Sequence, residues 1–198
     1  MAIHSSCLHY INQIEKNNIT NEFYLTDIVK ILKKNLNKIS FVEIEESEIF
    51  GINTQIDLAS AEKISQKLLR KQAMLNGVNL IDPDSVFLNY DTVIDKNVII
   101  HPNVVFGKNV NVGGQVEIKS FSHLEDCEIK NGSIIGPFAR IRGNSILGEN
   151  SKIGNFVEVK KSNLDKNVKI NHLSYIGDSD IGNSTNIGAG TITCNYDG

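Results

Sequence analysis

The sequence predicts a mainly β fold, a solenoid of short strands wound into triangular coils, over residues 78–198. Aliphatic residues recur every six positions from about Leu88 to the C-terminal end, as at Ile94, Ile100 and Val112. A small or branched residue follows most of them after four positions, and a glycine often follows directly. An α-helix would spread this period around its circumference, and a plain strand would repeat every two residues. Three six-residue sides per coil, with each coil burying its aliphatic residues against the next, account for the spacing.

Residues 1–56 lack this period and are predicted to form a small α/β region ahead of the solenoid. The segment LTDIVKILKKNL (25–36) spaces its apolar residues for one helical face. The segment FVEIEESEIFGI (41–52) is typical of a strand leading into a turn.

A helix is expected from about Thr54 to Asn76, and residues 57–77 should link the two regions. Thr54 and Asp57 fit an N-terminal capping box, and Gly77 fits a C-terminal stop. The apolar stripe of this helix consists of Leu58, Ala61, Ile64, Leu68 and Leu75.

The solenoid shortens its step from six residues to five at Leu124–Ile129, Val159–Leu164 and Ile176–Ile181. Such a step either re-aims side chains at a corner or absorbs a deletion, and both interpretations stay open. The repeat is still running at the final segment NIGAGTITCNYDG. An open solenoid end exposes an apolar cross-section and strand edges, so we expect the native chain to continue.

Composition excludes several classes of function. A net charge of −3 over 198 residues gives no basic face for nucleic acid. No run has the length of a membrane span and no secretory signal begins the chain, so we expect a cytoplasmic protein. Cys7, Cys127 and Cys194 are an odd number at wide spacings, which favours reduced thiols over a disulfide framework or a zinc site.

Polar residues that the fold does not need gather in one stretch of the solenoid. They are Arg142, Glu158, Lys160, His172, Tyr175, Asn186, Asn195 and Tyr196. Because one coil is about three hexads, we expect Arg142, Lys160 and residues 175–178 on neighbouring coils. Two adjacent cations suit a phosphate group, and solvated charges at a corner are the open alternative.

A proton-transfer role for His172 stands beside a merely structural or exposed one. His101 and His123 lie 22 residues apart and His172 is much farther along, so the three lack the close pairing of a zinc site.

Several segments resemble, in the same order, those of one bacterial enzyme family. They are NEFYLTDIVKIL, VEIEESEIFGINT, LLRKQAMLNGVNLIDPDSV, IGPFARIR, IGNFVEVKKS and NHLSYIGDSDIGNSTNIGAGTITCNYDG. The family is the bifunctional N-acetylglucosamine-1-phosphate uridylyltransferase / glucosamine-1-phosphate acetyltransferase, and the likeness begins at about Asn18. The resemblance implies a left-handed parallel β-helix of hexapeptide repeats for 78–198, an acetyltransferase domain truncated at its C-terminus. It implies the end of the nucleotidyltransferase domain for 1–56.

The resemblance also implies acetyl-CoA-dependent N-acetylation of glucosamine 1-phosphate by a homotrimer, in peptidoglycan and lipopolysaccharide synthesis. The resemblance makes His172 the general base that takes a proton from the 2-amino group of glucosamine 1-phosphate. Arg142 and Lys160 hold the sugar phosphate. Tyr175 and Asn186 are implied for the sugar, and Glu158 for orienting either the histidine or the sugar. Ala189, Asn195 and Tyr196 are the positions implied beside acetyl-CoA.

Asn53 matches the family's asparagine that binds Mg²⁺ in the uridylyltransferase site, where UTP is the second substrate. The glycine-rich nucleotide loop and partner aspartate of that site are missing, so we expect no uridylyl transfer by this polypeptide alone. Arg142 is followed by Gly143 where the family usually has proline, which loosens that corner. The family's further coenzyme A contacts belong beyond Gly198.

Two other interpretations stay open. One is a catalytically inactive β-helix that serves as a trimerisation or binding module. The other is a hexapeptide acyltransferase with a different acceptor, although Arg142 beside Lys160 favours a phosphorylated one.

Overall fold

The computed structural model describes residues 1–45, 49 and 51–195. The chain divides into two compact units, Met1–Phe50 and Gly51–Gly198. Within the described ranges, no helix combines the length and apolarity that crossing a bilayer requires.

The described part of the first unit contains three short helices. Two 3₁₀ helices, Ser5–Gln13 and Leu25–Asp27, precede helix α1, Ile28–Lys34. The helix expected at 25–36 is therefore confirmed over 25–34, and the side chain of Ile28 is fully buried. Leu36, expected on the same face, lies past the helix end and is 94% exposed, so that part of the prediction is wrong.

The strand expected over 41–52 is not formed at 41–45. Phe41 and Val42 are 85% and 83% exposed, and an extended segment without a paired neighbour has little to stabilise it. Residues 49, 51 and 52 are not in a strand either, and residues 46–48 and 50 lie outside the described residues, so the prediction is untested only there.

The second unit begins with the expected helix, α2, Gln55–Leu75. The Thr54 hydroxyl accepts a hydrogen bond from the Asp57 N–H, and the Asp57 carboxylate accepts one from the Thr54 N–H, so the capping box is confirmed. After the helix, Gly77 has φ +91°, a conformation that suits glycine. Both ends of the helix were therefore readable from the sequence.

The buried face of α2 differs from the expected apolar stripe. Leu58, Leu68 and Leu75 are 48%, 62% and 71% exposed, so this part of the prediction is wrong. Ala61 and Ile64 are half-buried as expected, but the buried side chains of the helix are the polar Gln66 and Arg70.

Gln66 and Arg70 of α2 are buried because they bond the backbone of the first coil of the β-helix. The amide of Gln66 bonds both the N–H and the carbonyl of Leu88, at 2.9 and 2.7 Å. The Nε of Arg70 donates to the carbonyl of Val86 at 2.8 Å. A terminal coil leaves backbone groups without a neighbouring strand, and α2 supplies their partners.

Within the described part of the second unit, sixteen short strands form the three faces of a triangular prism, connected by parallel pairing. Face A contains β1 Asn79–Leu80, β3 Ile99–Ile100, β6 Glu117–Ile118, β9 Ile134–Ile135, the first residues of β12 Lys152–Lys160 and β14 Lys169–Gly177, and β16 Asn186–Ile187. Face B contains β4 Val105–Phe106, β7 His123–Leu124, β10 Arg140–Arg142 and the last residues of β12 and β14. Face C contains β2 Val93–Ile94, β5 Val110–Val112, β8 Cys127–Ile129, β11 Ser145–Leu147, β13 Asn163–Leu164 and β15 Asp180–Ile181. The 3₁₀ helix Pro83–Ser85 lies within the first coil.

The six-residue period fills the prism as expected. On face A, Ile118 pairs with Ile100 and with Ile135, and these isoleucines are fully buried. The second, smaller inward position is also confirmed, as at Ser133 and Val157. Because every coil buries its apolar residues against the next, the fold is the parallel β-helix that the spacing predicted. It is consistent with the left-handed form that the family resemblance implies.

The three five-residue steps all fall at the corner between faces B and C, where Asp126, Lys161 and Asp178 adopt positive φ. Register is kept on both sides of that corner, with Arg142 opposite Lys160 and Leu147 opposite Leu164. The shorter steps are thus absorbed within the corner.

Candidate active site

Three side chains stack at the corner between faces A and B, which we call the A/B corner. Asn155 and His172 are direct partners in the pairing of β12 with β14. On either side of His172, Ile170 pairs with Ile187 and Tyr175 with Ile192, each 17 residues further along. The residue that stacks on His172 in the next coil is therefore Ala189. His172 therefore lies between Asn155 and Ala189, with its side chain exposed.

The two expected cations are neighbours on face B. Arg142 pairs with Lys160, and Lys160 pairs with Gly177. Two residues before Lys160 on the same strand, Glu158 lies opposite Tyr175. The predicted stacking of these positions on successive coils is confirmed.

Arg142 is held by Glu158 rather than left free. Its Nε donates to the Glu158 Oε1 at 2.6 Å, and both side chains are about one-third exposed, 30% and 29%. This hydrogen bond raises the pKa of the Arg142 guanidinium. The Nη atoms stay available for a second acceptor, because a guanidinium carries five N–H donors.

A second arginine extends this network. Arg140 lies opposite Glu158 and His123, and its Nη2 is 3.5 Å from Glu125 Oε1. Its Nη1 is 4.0 Å from Glu158 Oε1, so that carboxylate lies between two guanidinium groups. Strand pairing places Glu158 on face B, and its carboxylate there contacts both arginines.

The partner of His172 is Asn155, not Glu158. The Nδ1 of His172 and the Oδ1 of Asn155 are 2.6 Å apart. His172 lies at the A/B corner and precedes Gly177, the neighbour of Lys160, by five residues; Leu173 between them has φ +48°, so β14 bends there and the two positions are closer than on an extended strand. His172 and the two cations thus belong to one parallel sheet, with His172 at the A/B corner and Arg142 and Lys160 on face B.

Tyr175 and Asn195 meet beyond the cations. The Asn195 Nδ2 donates to the Tyr175 hydroxyl at 3.3 Å and also to the Asp178 carboxylate. The bonds from Asn195 and Lys161 lower the pKa of Asp178. Two expected site residues are therefore in contact.

Asn186 lies apart from that group, on face A, where it pairs with Lys169. It is separated from Tyr175 by the A/B corner. Tyr196, expected beside acetyl-CoA, lies outside the described residues.

A shallow groove runs along face B next to the A/B corner. It has a volume of about 430 Å³ and is lined in part by Phe138, Phe156, Glu158 and Tyr175. The rings of Phe138 and Phe156 stack at 5.1 Å, and Phe121 continues the stack at 4.9 Å from Phe138. The groove thus has an apolar wall on the corner side and a charged wall on face B.

Gly143 adopts the backbone conformation that turns the chain at the corner after Arg142. Its φ is +72°, and proline, which the resemblance expects here, is restricted to φ near −65°. The backbone after Arg142 therefore differs from one that contains proline.

Asn53, expected to bind Mg²⁺, lies just before α2, beside the capping box. Its backbone N–H donates to the Asp57 carboxylate at 3.1 Å, and that carboxylate serves the capping box. Among the residues that the structure describes, no group of three or more His, Cys, Asp or Glu side chains could hold a metal ion.

Sequence reasoning missed Asn155, Arg140 and Glu125. The length of a coil is the signal that could have found Asn155, since it precedes His172 by the 17 residues that separate stacked positions. The same count could have found the other two, since Arg140 precedes Glu158 by 18 residues and Glu125 precedes Arg142 by 17.

Comparison with known proteins identifies close relatives. The family model "Bacterial transferase hexapeptide (six repeats)" matches residues 126–161. The bifunctional protein GlmU of Zymomonas mobilis is 47% identical over 188 residues, 95% of this chain and 42% of that protein. The GlmU of Anaplasma marginale (strain Florida) is 50% identical over 177 residues, 89% of this chain and 41% of that protein. The chain thus spans less than half the length of these relatives.

A solved structure supports the fold. A point mutant of perosamine N-acetyltransferase from Caulobacter crescentus, in complex with CoA and GDP-perosamine, superposes with a TM-score of 0.50. The match covers 83% of this chain and 70% of the other at 15% identity. At that identity the likeness concerns the fold alone.

Proposed function

Because this chain belongs to the hexapeptide-repeat family and is homologous to the bifunctional GlmU proteins over nearly all of its length, we propose that it catalyses the N-acetylation of glucosamine 1-phosphate by acetyl-CoA. The product is N-acetylglucosamine 1-phosphate. Uridylyl transfer from UTP to this product would follow, for peptidoglycan and lipopolysaccharide synthesis in the cytoplasm.

The proposed reaction needs one base and no metal. The 2-amino nitrogen of the sugar attacks the carbonyl carbon of the thioester, the C–N bond forms and the C–S bond breaks. Nε2 of His172 takes a proton from the amine and returns it to the sulfur, which leaves as the free thiol of coenzyme A. Positioned proton transfer of this kind contributes about 10²- to 10⁴-fold in rate.

The observation that carries the proposal is the juxtaposition on successive coils of a histidine and a pair of cations. Arg142 and Lys160 are direct neighbours on β10 and β12, and His172 lies on the adjoining β14. A sugar phosphate that bridges them would meet guanidinium and ammonium donors at its phosphate and the imidazole at its amine. Tyr175 and Asn186 would contact the sugar ring.

Ala189 would lie beside the acetyl group, since it follows His172 at the A/B corner. Its backbone is a candidate donor to the oxyanion of the tetrahedral intermediate. Asn195 and Tyr196 would contact the remainder of acetyl-CoA.

A homotrimer would complete the site, since the groove on face B is shallow and open along one side. A neighbouring prism against that side would exclude water from the thioester. A solution mass of about three times the 21.9 kDa of the chain is expected, and a monomer would contradict the proposal of a trimer.

The activity is tested by release of free thiol from acetyl-CoA in the presence of glucosamine 1-phosphate. We expect His172→Ala to lower the rate by about a hundredfold or more. His123→Ala is the matched control, because His123 is also an exposed histidine on the β-helix, on β7, and should leave the rate unchanged.

A second arm tests recognition of the phosphate. Glucosamine without its phosphate should react far more slowly, and Lys160→Met should raise the KM for glucosamine 1-phosphate more than it lowers kcat. The proposal fails if the unaltered chain releases no thiol, or if His172→Ala and His123→Ala are equally active.

A further inference from the structure

We propose that Asn155 is a positioning residue that holds the ring of His172 as its Nδ1–H tautomer and so leaves Nε2 free to take a proton. The inference deepens the proposed acetyl transfer and rests on it for its catalytic part. Its structural part, the tautomer, can be measured without any activity.

The hydrogen bond between the two side chains selects the tautomer. Asn155 Oδ1 and His172 Nδ1 are 2.6 Å apart, and an amide oxygen can only accept. The ring nitrogen that faces it must therefore carry the hydrogen, and the other nitrogen of a neutral imidazole then carries the lone pair. A histidine free in water favours the opposite tautomer, Nε2–H, so the contact reverses the intrinsic preference.

The backbone beneath the pair is held on both sides. The Ser174 hydroxyl, whose residue is buried, donates to the carbonyl of His172 at 2.9 Å. At Gly154, a Cβ atom would lie 1.9 Å from the carbonyl oxygen of Asn171, so the two coils approach too closely there for any side chain. The neighbours of Asn155 and His172 in the chain thus fix the separation of the two side chains.

Fixing the tautomer matters because only one ring nitrogen can reach the substrate. The Nδ1 edge faces Asn155 on the preceding coil, and the Nε2 edge is directed away from it. A base needs a lone pair at the atom that meets the amine, and the Nδ1–H tautomer supplies that lone pair at Nε2.

The first experiment records long-range ¹H–¹⁵N correlation spectra of the ¹⁵N-labelled chain at about pH 8, where imidazole is neutral. His172→Gln identifies the signals by their loss. We expect the Nδ1–H pattern in the unaltered chain, a majority Nε2–H pattern in Asn155→Leu, and a retained Nδ1–H pattern in Asn155→Asp, whose carboxylate also accepts. An Nε2–H pattern in the unaltered chain overturns the inference, as does an unchanged pattern in Asn155→Leu.

Asn163→Leu is the matched control for this experiment. Asn163 Nδ2 donates to Asp180 Oδ1 on the next coil at 3.0 Å, so the variant removes an equivalent contact between coils on face C. It should leave the His172 pattern unchanged. A change in Asn163→Leu equal to that in Asn155→Leu would indicate a general loosening of the coils and overturn the assignment.

The second experiment measures the kinetics of acetyl transfer. Asn155→Leu should lower kcat about ten- to a hundredfold, with the KM for acetyl-CoA within about twofold, and Asn155→Asp should recover most of the loss. Full activity in Asn155→Leu overturns the positioning role. If the unaltered chain releases no thiol while its spectrum shows the Nδ1–H pattern, the proposed acetyl transfer fails and the tautomer assignment stands.

Discussion

The most direct test of the corner geometry is the substitution Gly154→Ala. The added Cβ would lie 1.9 Å from the carbonyl oxygen of Asn171, 2.7 Å from its carbonyl carbon and 3.0 Å from its Cα. These are backbone atoms, so no side chain can rotate away, and one coil must move by more than about 1 Å relative to the next. Overpacking of this kind costs about 1–3 kcal/mol. With a urea m value of about 2 kcal/mol/M, the unfolding midpoint should fall by about 0.5–1.5 M.

Gly182→Ala is the matched control. Gly182 also follows an inward isoleucine, Ile181, but a Cβ there would meet nothing within 4 Å. Its unfolding free energy should stay within about 0.5 kcal/mol of that of the unaltered chain, or rise slightly because alanine restricts the unfolded state. The two midpoints are compared by urea denaturation followed by circular dichroism. Equal midpoints would refute the argument that the coils are in backbone contact at the A/B corner.

Three further outcomes are expected. Ile135→Ala removes a fully buried side chain and should lower the unfolding free energy by about 2–5 kcal/mol, whereas Ile99→Ala, at a site 39% exposed, should cost much less in the same denaturation assay. Hydrogen bonds from Thr54 and Asn53 lower the pKa of Asp57 from 3.8, so its stabilising effect is present above that value and lost as pH falls through the lower folded-state pKa. Midpoints at about pH 6 and about pH 3 should therefore differ less in Asp57→Asn than in the unaltered chain, and an unchanged difference would contradict this. Burial raises the pKa of Cys127 to about 12, so a thiol reagent should modify exposed Cys194 in the folded chain and Cys127 after unfolding; equal rates in the folded chain would disprove the burial.

The inward positions of the β-helix could be predicted because they repeat along the chain. Each hexad contributes one aliphatic residue to the core, so spacing alone identifies residues such as Ile118 and Ile135. The capping box of α2 was readable for a similar reason, since Thr54 and Asp57 are only three residues apart. In both cases the interacting groups are close in sequence or related by a fixed period.

The buried face of α2 could not be predicted in the same way. Apolar spacing pointed to Leu58 and Leu68, but the structure buries Gln66 and Arg70. The reason is the unpaired backbone edge of the first coil, whose demand for hydrogen bonds exceeds the gain from burying leucine. That demand is known only when the coil and the helix are seen together.

By itself the sequence determined the coil period, the inward side chains and the stacking of Arg142 against Lys160. These follow from a repeat in which every position has a counterpart 17 or 18 residues away. Only the tertiary structure decided which polar partner each site residue takes, so that Glu158 bonds Arg142 and Asn155 bonds His172. Hydrogen bonds depend on side-chain direction to within a fraction of an ångström, and the period of a repeat carries no information at that scale.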